Sequence, residues 1–126
     1  MSKTVLLVED NDFIRNMYQL KLAKSGLTVI EAVDGTMALD KLKTFKPDLI
    51  LLDLMMPNVS GIDVLKELNK EAVIPDLPVI VLTNIYNPAT VNEAKELGAR
   101  DYIIKTDLTP SQVVEKLKPY LVEKKA

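Results

Sequence analysis

Apolar residues fall along this chain in two alternating rhythms. Five short runs are rich in Val, Ile and Leu, at 4–8, 28–31, 49–53, 78–83 and 101–104. Each has the length of a strand. The first, third and fourth are nearly continuous in their apolarity, which suits a parallel sheet covered on both faces. Between the runs, apolar positions recur at helical spacing. Phe13, Met17 and Leu20 fall at i, i+4, i+7, and Ala38, Leu42 and Phe45 repeat that spacing. Ile62, Leu65 and Leu68 recur every three residues, and Val113, Leu117, Tyr120 and Leu121 form the clearest stripe. Stripes of this kind are read as helix faces packed into a core.

Punctuation residues agree with these boundaries. Gly26 and Gly98 follow helical patterns, where C-terminal glycines belong. Asn87-Pro88 and Thr109-Pro110 each read as an N-cap followed by proline in the first turn. Thr109 with Gln112 fits a capping box, and Ser60 caps a third helix. The order is therefore strand then helix, five times over, which implies right-handed crossovers and a parallel sheet. The pattern fills residues 1–126 as one domain with no linker, repeat or room for a separate output domain, and 122–126 reads as a frayed Lys/Glu-rich tail.

Composition narrows the chemistry. A chain of 126 residues is the size of one domain and long enough to bury a real core. The net charge of −2 argues against a generic nucleic-acid binder and against an anionic membrane surface. There is no cysteine, so disulfides, thiol nucleophiles and thiolate metal sites are excluded. There is no histidine either, which removes the commonest general base and transition-metal ligand. Any metal site must be oxygen-rich, favouring Mg²⁺, Mn²⁺ or Ca²⁺. The apolar stretch in MSKTVLLVED is too short for a signal peptide or a membrane span, and a cytoplasmic protein is expected.

In open α/β sheets, ligands bind beyond the carboxyl ends of the strands. Here the first strand ends in Glu9-Asp10, the third in Asp53, the fourth in Thr83-Asn84 and the fifth in Lys105. Each has a bland explanation: a helix cap, a β-branched strand residue, a solvated lysine. Together they put three carboxylates, a hydroxyl and an ammonium on one rim. Clustered carboxylates repel, and a divalent cation relieves the repulsion. Mg²⁺ takes oxygen ligands and often binds carboxylates together with phosphate. A lysine offers a point charge and a threonine a donor for phosphoryl oxygens. Such a set stabilises a phosphoryl group in flight, and Asp53 then reads as a carboxylate nucleophile.

With these residues in place, the sequence resembles the receiver domain of two-component response regulators, of the single-domain kind that regulates chemotaxis. The matching elements are VLLVEDN at 5–11, LILLDLMMPNVSG at 49–61, VIVLT at 79–83 and DYIIK at 101–105. The resemblance covers nearly the whole chain. It implies a flavodoxin-like (βα)5 fold with a five-stranded, doubly wound sheet in the order 2-1-3-4-5. It also implies that Asp53 is the phosphoacceptor and that Glu9, Asp10, Asp53 and the Met55 backbone carbonyl hold Mg²⁺, with Mn²⁺ as a substitute. Lys105 and Thr83 should contact the phosphoryl group. Thr83 and Tyr102 should act as the switch pair, and Met55 and Ile85 should tune phosphoryl loss. Pro57 and Gly61 match the loop after the phosphoacceptor, Gly61 being read as a relief of backbone strain. The implied donor is a histidine kinase or a histidine phosphotransfer protein. The output surface is the fourth helix (roughly 89–97), fifth strand and fifth helix, toward a partner the sequence does not name. Such a domain is a signalling switch that catalyses its own phosphorylation and dephosphorylation rather than a turnover enzyme.

Two positions depart from the family pattern. Thr106 stands where receivers have proline, often after a cis bond; a non-proline cis bond costs about 3 kcal/mol, which argues for a trans bond here. Asn84 stands where receivers have a small residue. Met55 and Ile85 are apolar and cannot orient an attacking water, so a long-lived phosphoaspartate is expected.

Three rival readings bear on the same residues. A haloacid-dehalogenase-like phosphatase would carry a second acid two residues after the nucleophile, where this chain has Met55. A flavin carrier would have a Ser/Thr/Gly-rich phosphate loop after the first strand, where this chain has Glu9-Asp10-Asn11-Asp12. A phosphorylation-independent binding or dimerisation module remains as the alternative, kept alive by Thr106 and Asn84.

Overall fold

Strand and helix alternate along the whole of the computed structural model, which describes residues 3–56, 58–71, 77–84 and 86–121. The elements are β1 (Thr4–Val8), α1 (Asp12–Lys24), β2 (Thr28–Ala32), α2 (Gly35–Leu42), β3 (Leu49–Leu52), α3 (Gly61–Lys70), β4 (Val79–Thr83), α4 (Pro88–Glu96), β5 (Asp101–Ile104) and α5 (Pro110–Leu121). All neighbouring strands are parallel, in the order β2-β1-β3-β4-β5. Among the described residues, no helix is long and apolar enough to cross a membrane. The expectations for Pro57, Ile85 and 122–126 lie outside the described residues.

Successive strand residues point to opposite faces, so each central strand feeds two cores. On one face Leu6, Val8, Ile50, Leu52, Val79 and Val81 pack with Ala38 of α2, Val64, Leu65 and Leu68 of α3, and Ala94 of α4. On the other, Val5, Leu7, Leu49, Leu51, Ile80 and Leu82 pack with Tyr18 and Leu22 of α1 and Val113, Val114 and Leu117 of α5. This is why β3 and β4 are buried at every position. Burying each such Leu or Ile contributes roughly 1.5–3 kcal/mol.

The helix ends use the expected chemistry. Ser60 and Asp63 form a capping box at α3. The Asn87 side chain accepts from the Ala89 and Thr90 amides, with Pro88 opening α4. The Thr109 hydroxyl accepts from the Gln112 amide, and the Gln112 side chain accepts from the Thr109 amide. Gly26 and Gly98 adopt φ of 89° and 108°, the left-handed region that glycine enters freely.

Some expectations are corrected. The stripe Phe13, Met17 and Leu20 is not core: all three face solvent, Phe13 with 80% of its surface exposed. Tyr18 and Leu22, with half-buried Ile14, form the inward face of α1 instead. Positions 14, 18 and 22 also recur at helical spacing, about 130° around the axis from the predicted stripe. Periodicity alone could not choose between two apolar stripes on one helix. β2 runs one residue further than expected, to Ala32, and β4 starts one residue later, at Val79. α4 starts and ends one residue earlier than expected. β3 stops at Leu52, so Asp53 lies just beyond the strand.

Gly61 is not in the left-handed region, so strain relief is not its role. A Cβ there would press on the Asp53 carbonyl oxygen and come within 2.7 Å of Leu54 Cα. Glycine is needed because the start of α3 runs against the backbone of the β3 loop.

Candidate functional site

The carboxyl ends of β1, β3, β4 and β5 converge on one acidic hollow. Asp53 sits one residue past β3, yet its amide still donates to the Val8 carbonyl at 3.1 Å, extending the ladder. Its carboxylate therefore leaves a fixed backbone. The Met55 amide donates to Asp53 Oδ1 at 3.2 Å, which brings the Met55 backbone to the same spot while its side chain stays exposed.

Glu9 follows β1 and is held at every polar group. Its amide donates to the Ala32 carbonyl at 3.1 Å. Its carbonyl accepts from Arg15 Nη1 at 2.9 Å. Its carboxylate accepts from the Asn11 amide at 3.1 Å and from Lys105 Nζ. Lys105 follows β5, and its ammonium also pairs with Asp53 Oδ2 at 3.5 Å. Glu9 and Asp53 are 3% and 5% exposed, whereas Asp10 faces solvent. Carboxylate oxygens of Glu9, Asp10 and Asp53 all lie within 4.8 Å of one another.

The electrostatics follow from this crowding. Burial pushes the Glu9 carboxyl above its ordinary range; its bonds to Lys105 and Asn11 oppose the shift, and the Asp53 charge adds to it. Burial alone would lower the Lys105 ammonium. Its hydrogen bond to Glu9 and the charges of Asp53 and Glu9 win, and Lys105 stays above the usual lysine value. Three carboxylates against one lysine leave an excess of negative charge. The donors are all hard oxygens, with no imidazole or thiolate in the chain, which is the ligand chemistry of Mg²⁺, Mn²⁺ or Ca²⁺.

Thr83 ends β4 with none of its surface exposed, and its carbonyl accepts from the Lys105 amide at 2.8 Å. Tyr102 lies on β5 opposite Val81 and is half-buried against the α2–α4 core. Burial raises its phenol pKa, and the Asp53 charge raises it further. The Lys105–Thr106 bond is trans, as are all peptide bonds among the described residues. Asn84 is exposed.

The structure thus brings Glu9, Asp10, Asp53, Lys105 and the Met55 backbone together, with Thr83 and Tyr102 on the neighbouring strands. Sequence reasoning passed over two residues. Tyr18 is buried, its phenol pushed up by burial and acted on in opposite senses by the charges of Lys105 and Glu9. Arg15 bonds the backbone of the acidic pair. Its signal was an arginine in the first turn of a helix, three residues after an acid, and such residues are usually solvated.

Comparisons with known proteins agree with this geometry. A family model for the response regulator receiver domain matches residues 5–118. The chemotaxis protein CheY of Thermotoga maritima is 41% identical over 118 residues, covering 93% of this chain and 96% of that one. The alkaline phosphatase synthesis transcriptional regulatory protein PhoP of Bacillus subtilis is 39% identical over 121 residues, covering 96% of this chain but 49% of its own length. The chain thus spans nearly all of the first relative and about half of the second. Among solved structures, Vibrio cholerae CheY4 superposes with a TM-score of 0.88 at 29% identity, covering 96% of this chain and 100% of that one. A CheY-like receiver protein from Methanospirillum hungatei gives 0.88 at 26% identity, covering 96% and 94%. With the sheet order, the acidic hollow and these matches in agreement, the chain belongs to the response regulator receiver domain family of two-component systems.

Proposed function

We propose that this receiver takes a phosphoryl group onto Asp53 from a histidine kinase or a histidine phosphotransfer protein. The observation that carries the reading is the contact set at Asp53: carboxylates of Glu9 and Asp10 within 4.8 Å, and a buried Lys105 paired to both Glu9 and Asp53. The donor imidazole has to come from a partner, because this chain has no histidine.

In the transfer, an Asp53 carboxylate oxygen forms a bond to phosphorus as the phosphorus–nitrogen bond of the donor breaks; the electron pair of that bond stays on the nitrogen, and the imidazole leaves neutral, keeping the proton its other ring nitrogen already carries. Glu9, Asp10, Asp53 and the Met55 carbonyl would hold Mg²⁺, with Mn²⁺ as a substitute. When bound, the cation offsets the carboxylate repulsion and the charge on the phosphoryl oxygens. Lys105 turns from its carboxylate partners toward a phosphoryl oxygen, and the Thr83 hydroxyl takes another. Thr83 and Tyr102 then report the modification to the face built from α4, β5 and α5. Phe13, Met17 and Leu20 are exposed on α1, the helix that follows the Glu9–Asp10 pair, and give the donor an apolar surface to cover.

Intact-protein mass after incubation with acetyl phosphate and Mg²⁺ tests this. A gain of about 80 Da, absent without Mg²⁺ and absent in Asp53→Asn, is expected of an aspartyl phosphate. No gain under any condition would leave the phosphorylation-independent binding module as the better reading.

A further inference from the structure

Asp10 is the exposed member of the acidic trio, and among the described residues no hydrogen bond holds its carboxylate. With no hydrogen bond holding the side chain, the region its carboxylate can reach is limited by where the Glu9–Asp10 peptide places the Asp10 backbone. The oxygen of this peptide accepts from Arg15 Nη1 at 2.9 Å. The same guanidinium reaches two anchors outside the hollow. Nη2 bonds Asp12 Oδ1 at 2.5 Å, and Nε lies 3.6 Å from Glu31 Oε1. The Arg15 side chain is only 14% exposed, so the fork is embedded in the fold. Arg15 thereby joins the end of β1, the first turn of α1 and the edge strand β2.

This arrangement is unlike a surface ion pair. Asp12 is almost fully exposed, and a pair with it alone would contribute little. The bond to the Glu9 carbonyl is different in kind, because its acceptor is the peptide that aims Asp10. A planar fork with several fixed donors can hold a carbonyl and two carboxylates at once, whereas an ammonium cannot hold that geometry. Groups that touch no metal but fix the direction of its ligands tune affinity through orientation.

We propose that Arg15 is a positioning residue for the divalent-cation site: it fixes the Glu9–Asp10 peptide so that the Asp10 carboxylate faces Asp53. The proposal rests on the reading of the acidic trio as a cation site. It makes a prediction opposite to simple electrostatics. Arg15 is a cation near three carboxylates, so by charge alone its removal would tighten cation binding. As a positioning residue, its removal weakens binding. The loss should also depend on the ion. Mg²⁺ demands near-ideal octahedral geometry, whereas Ca²⁺ accepts irregular oxygen sets. A mis-aimed Asp10 therefore harms Mg²⁺ binding more than Ca²⁺ binding.

Calorimetric titration of the full chain with Mg²⁺ and with Ca²⁺ tests this in wild type, Arg15→Ala and Arg15→Lys, with thermal unfolding of each as the control for folding. Arg15→Lys keeps the charge and the aliphatic stem and loses the fork, so it decides the matter if Arg15→Ala does not fold. Both variants are expected to raise the Mg²⁺ dissociation constant by about tenfold, the low end for loss of an outer-shell partner. The Ca²⁺ constant should rise by less than about threefold, given the looser geometry of that ion. Unchanged or tighter Mg²⁺ binding in the variants overturns the proposal. Equal weakening of both ions also overturns it, since that marks a general loss of structure. A wild-type protein that binds neither ion overturns the cation-site reading itself, and the role of Arg15 falls with it.

Discussion

The loops after β1 and β4 leave the two strands that flank β3, at the end where Asp53 follows it, and they are held in opposite ways. On the β1 side, the amide, carbonyl and carboxylate of Glu9 are all bonded, to Ala32, Arg15, Asn11 and Lys105. On the β4 side, the chain passes from fully buried Thr83 straight to exposed Asn84, and beyond it Tyr86 is largely exposed. The helices that follow β3 and β4 repeat the contrast. α3 buries Gly61, Val64, Leu65 and Leu68, whereas α4 buries Ala94 alone. A transferred group needs its ligands fixed beforehand, because positioning supplies much of the catalysis of phosphoryl transfer. A signal needs an element whose two arrangements differ little in energy, and such elements come from the weakly held parts of a fold. On the proposed reading, the two demands fall to the two strands that flank β3.

The largest test of the fixed side is Lys105→Met in metal-free buffer. Lys105 is the shared partner of two buried carboxylates. Removing one member of a buried ionic set leaves the others uncompensated, and a loss of about 3 kcal/mol is expected from urea unfolding. Added Mg²⁺ should restore part of it by relieving the carboxylate repulsion. A loss below about 1 kcal/mol would put the trio in the class of solvent-screened surface pairs and erase the contrast. The backbone of the fixed side gives the next effect. In Gly61→Ala the added methyl meets the Asp53 carbonyl oxygen and Leu54 Cα, both backbone atoms that cannot swing aside, as well as the Leu54 side chain. An overpacking loss of about 2 kcal/mol is expected by the same unfolding measurement. Tolerance of alanine would mean that the β3 loop yields.

The less buried side is read by amide hydrogen exchange. Amides of the last two turns of α4 should exchange at least about tenfold faster than the matching amides of α3, since local opening follows buried contact. Equal protection would remove α4 as the responsive element. Thr83→Ala then sharpens the point: it should blunt phosphorylation-dependent partner binding without reversing this order of protection.

Much of the frame was legible because it rests on local chemistry. The runs at 4–8 and 101–104 are strands β1 and β5 to the residue. Gly98, Asn87-Pro88 and Thr109 with Gln112 mark boundaries by rules that need no tertiary context. The acids, Thr83 and Lys105 were legible as a rim because each ends an apolar run. What could not be read depends on approach between segments distant in sequence. Phe13, Met17 and Leu20 have the spacing of a core stripe, but the packing of α1 beside α5 and over the sheet decided for Tyr18 and Leu22. Gly61 was read through its dihedral freedom, whereas the deciding fact is the backbone lying across from it. Arg15 was silent in sequence because its acceptor is a main-chain carbonyl, which every residue possesses.

The smallest effect separates the caps of the two helices. At α3, the Ser60 amide and hydroxyl both donate to the Asp63 carboxylate, at 3.0 and 3.1 Å. These bonds hold the Asp63 pKa below its ordinary 3.8. At α4, the cap is the neutral side chain of Asn87. The sign follows from which state binds the proton more tightly. Unfolded Asp63 has the ordinary value, so the unfolded chain takes up the proton first as pH falls. The contribution of the cap is present in full above 3.8 and is lost as pH drops through the lower, folded value. The stability difference between wild type and Asp63→Asn should therefore be constant from neutral pH down to mildly acidic conditions and shrink below that point. The Asn87→Ala difference should show no such step, because its bond to α4 carries no titrating group. Parallel pH profiles for the two variants would show that the α3 cap works through geometry alone. A step at Asp63 only would show that the helix after the Asp53 loop is anchored by charge, and the helix after Thr83 by a neutral bond.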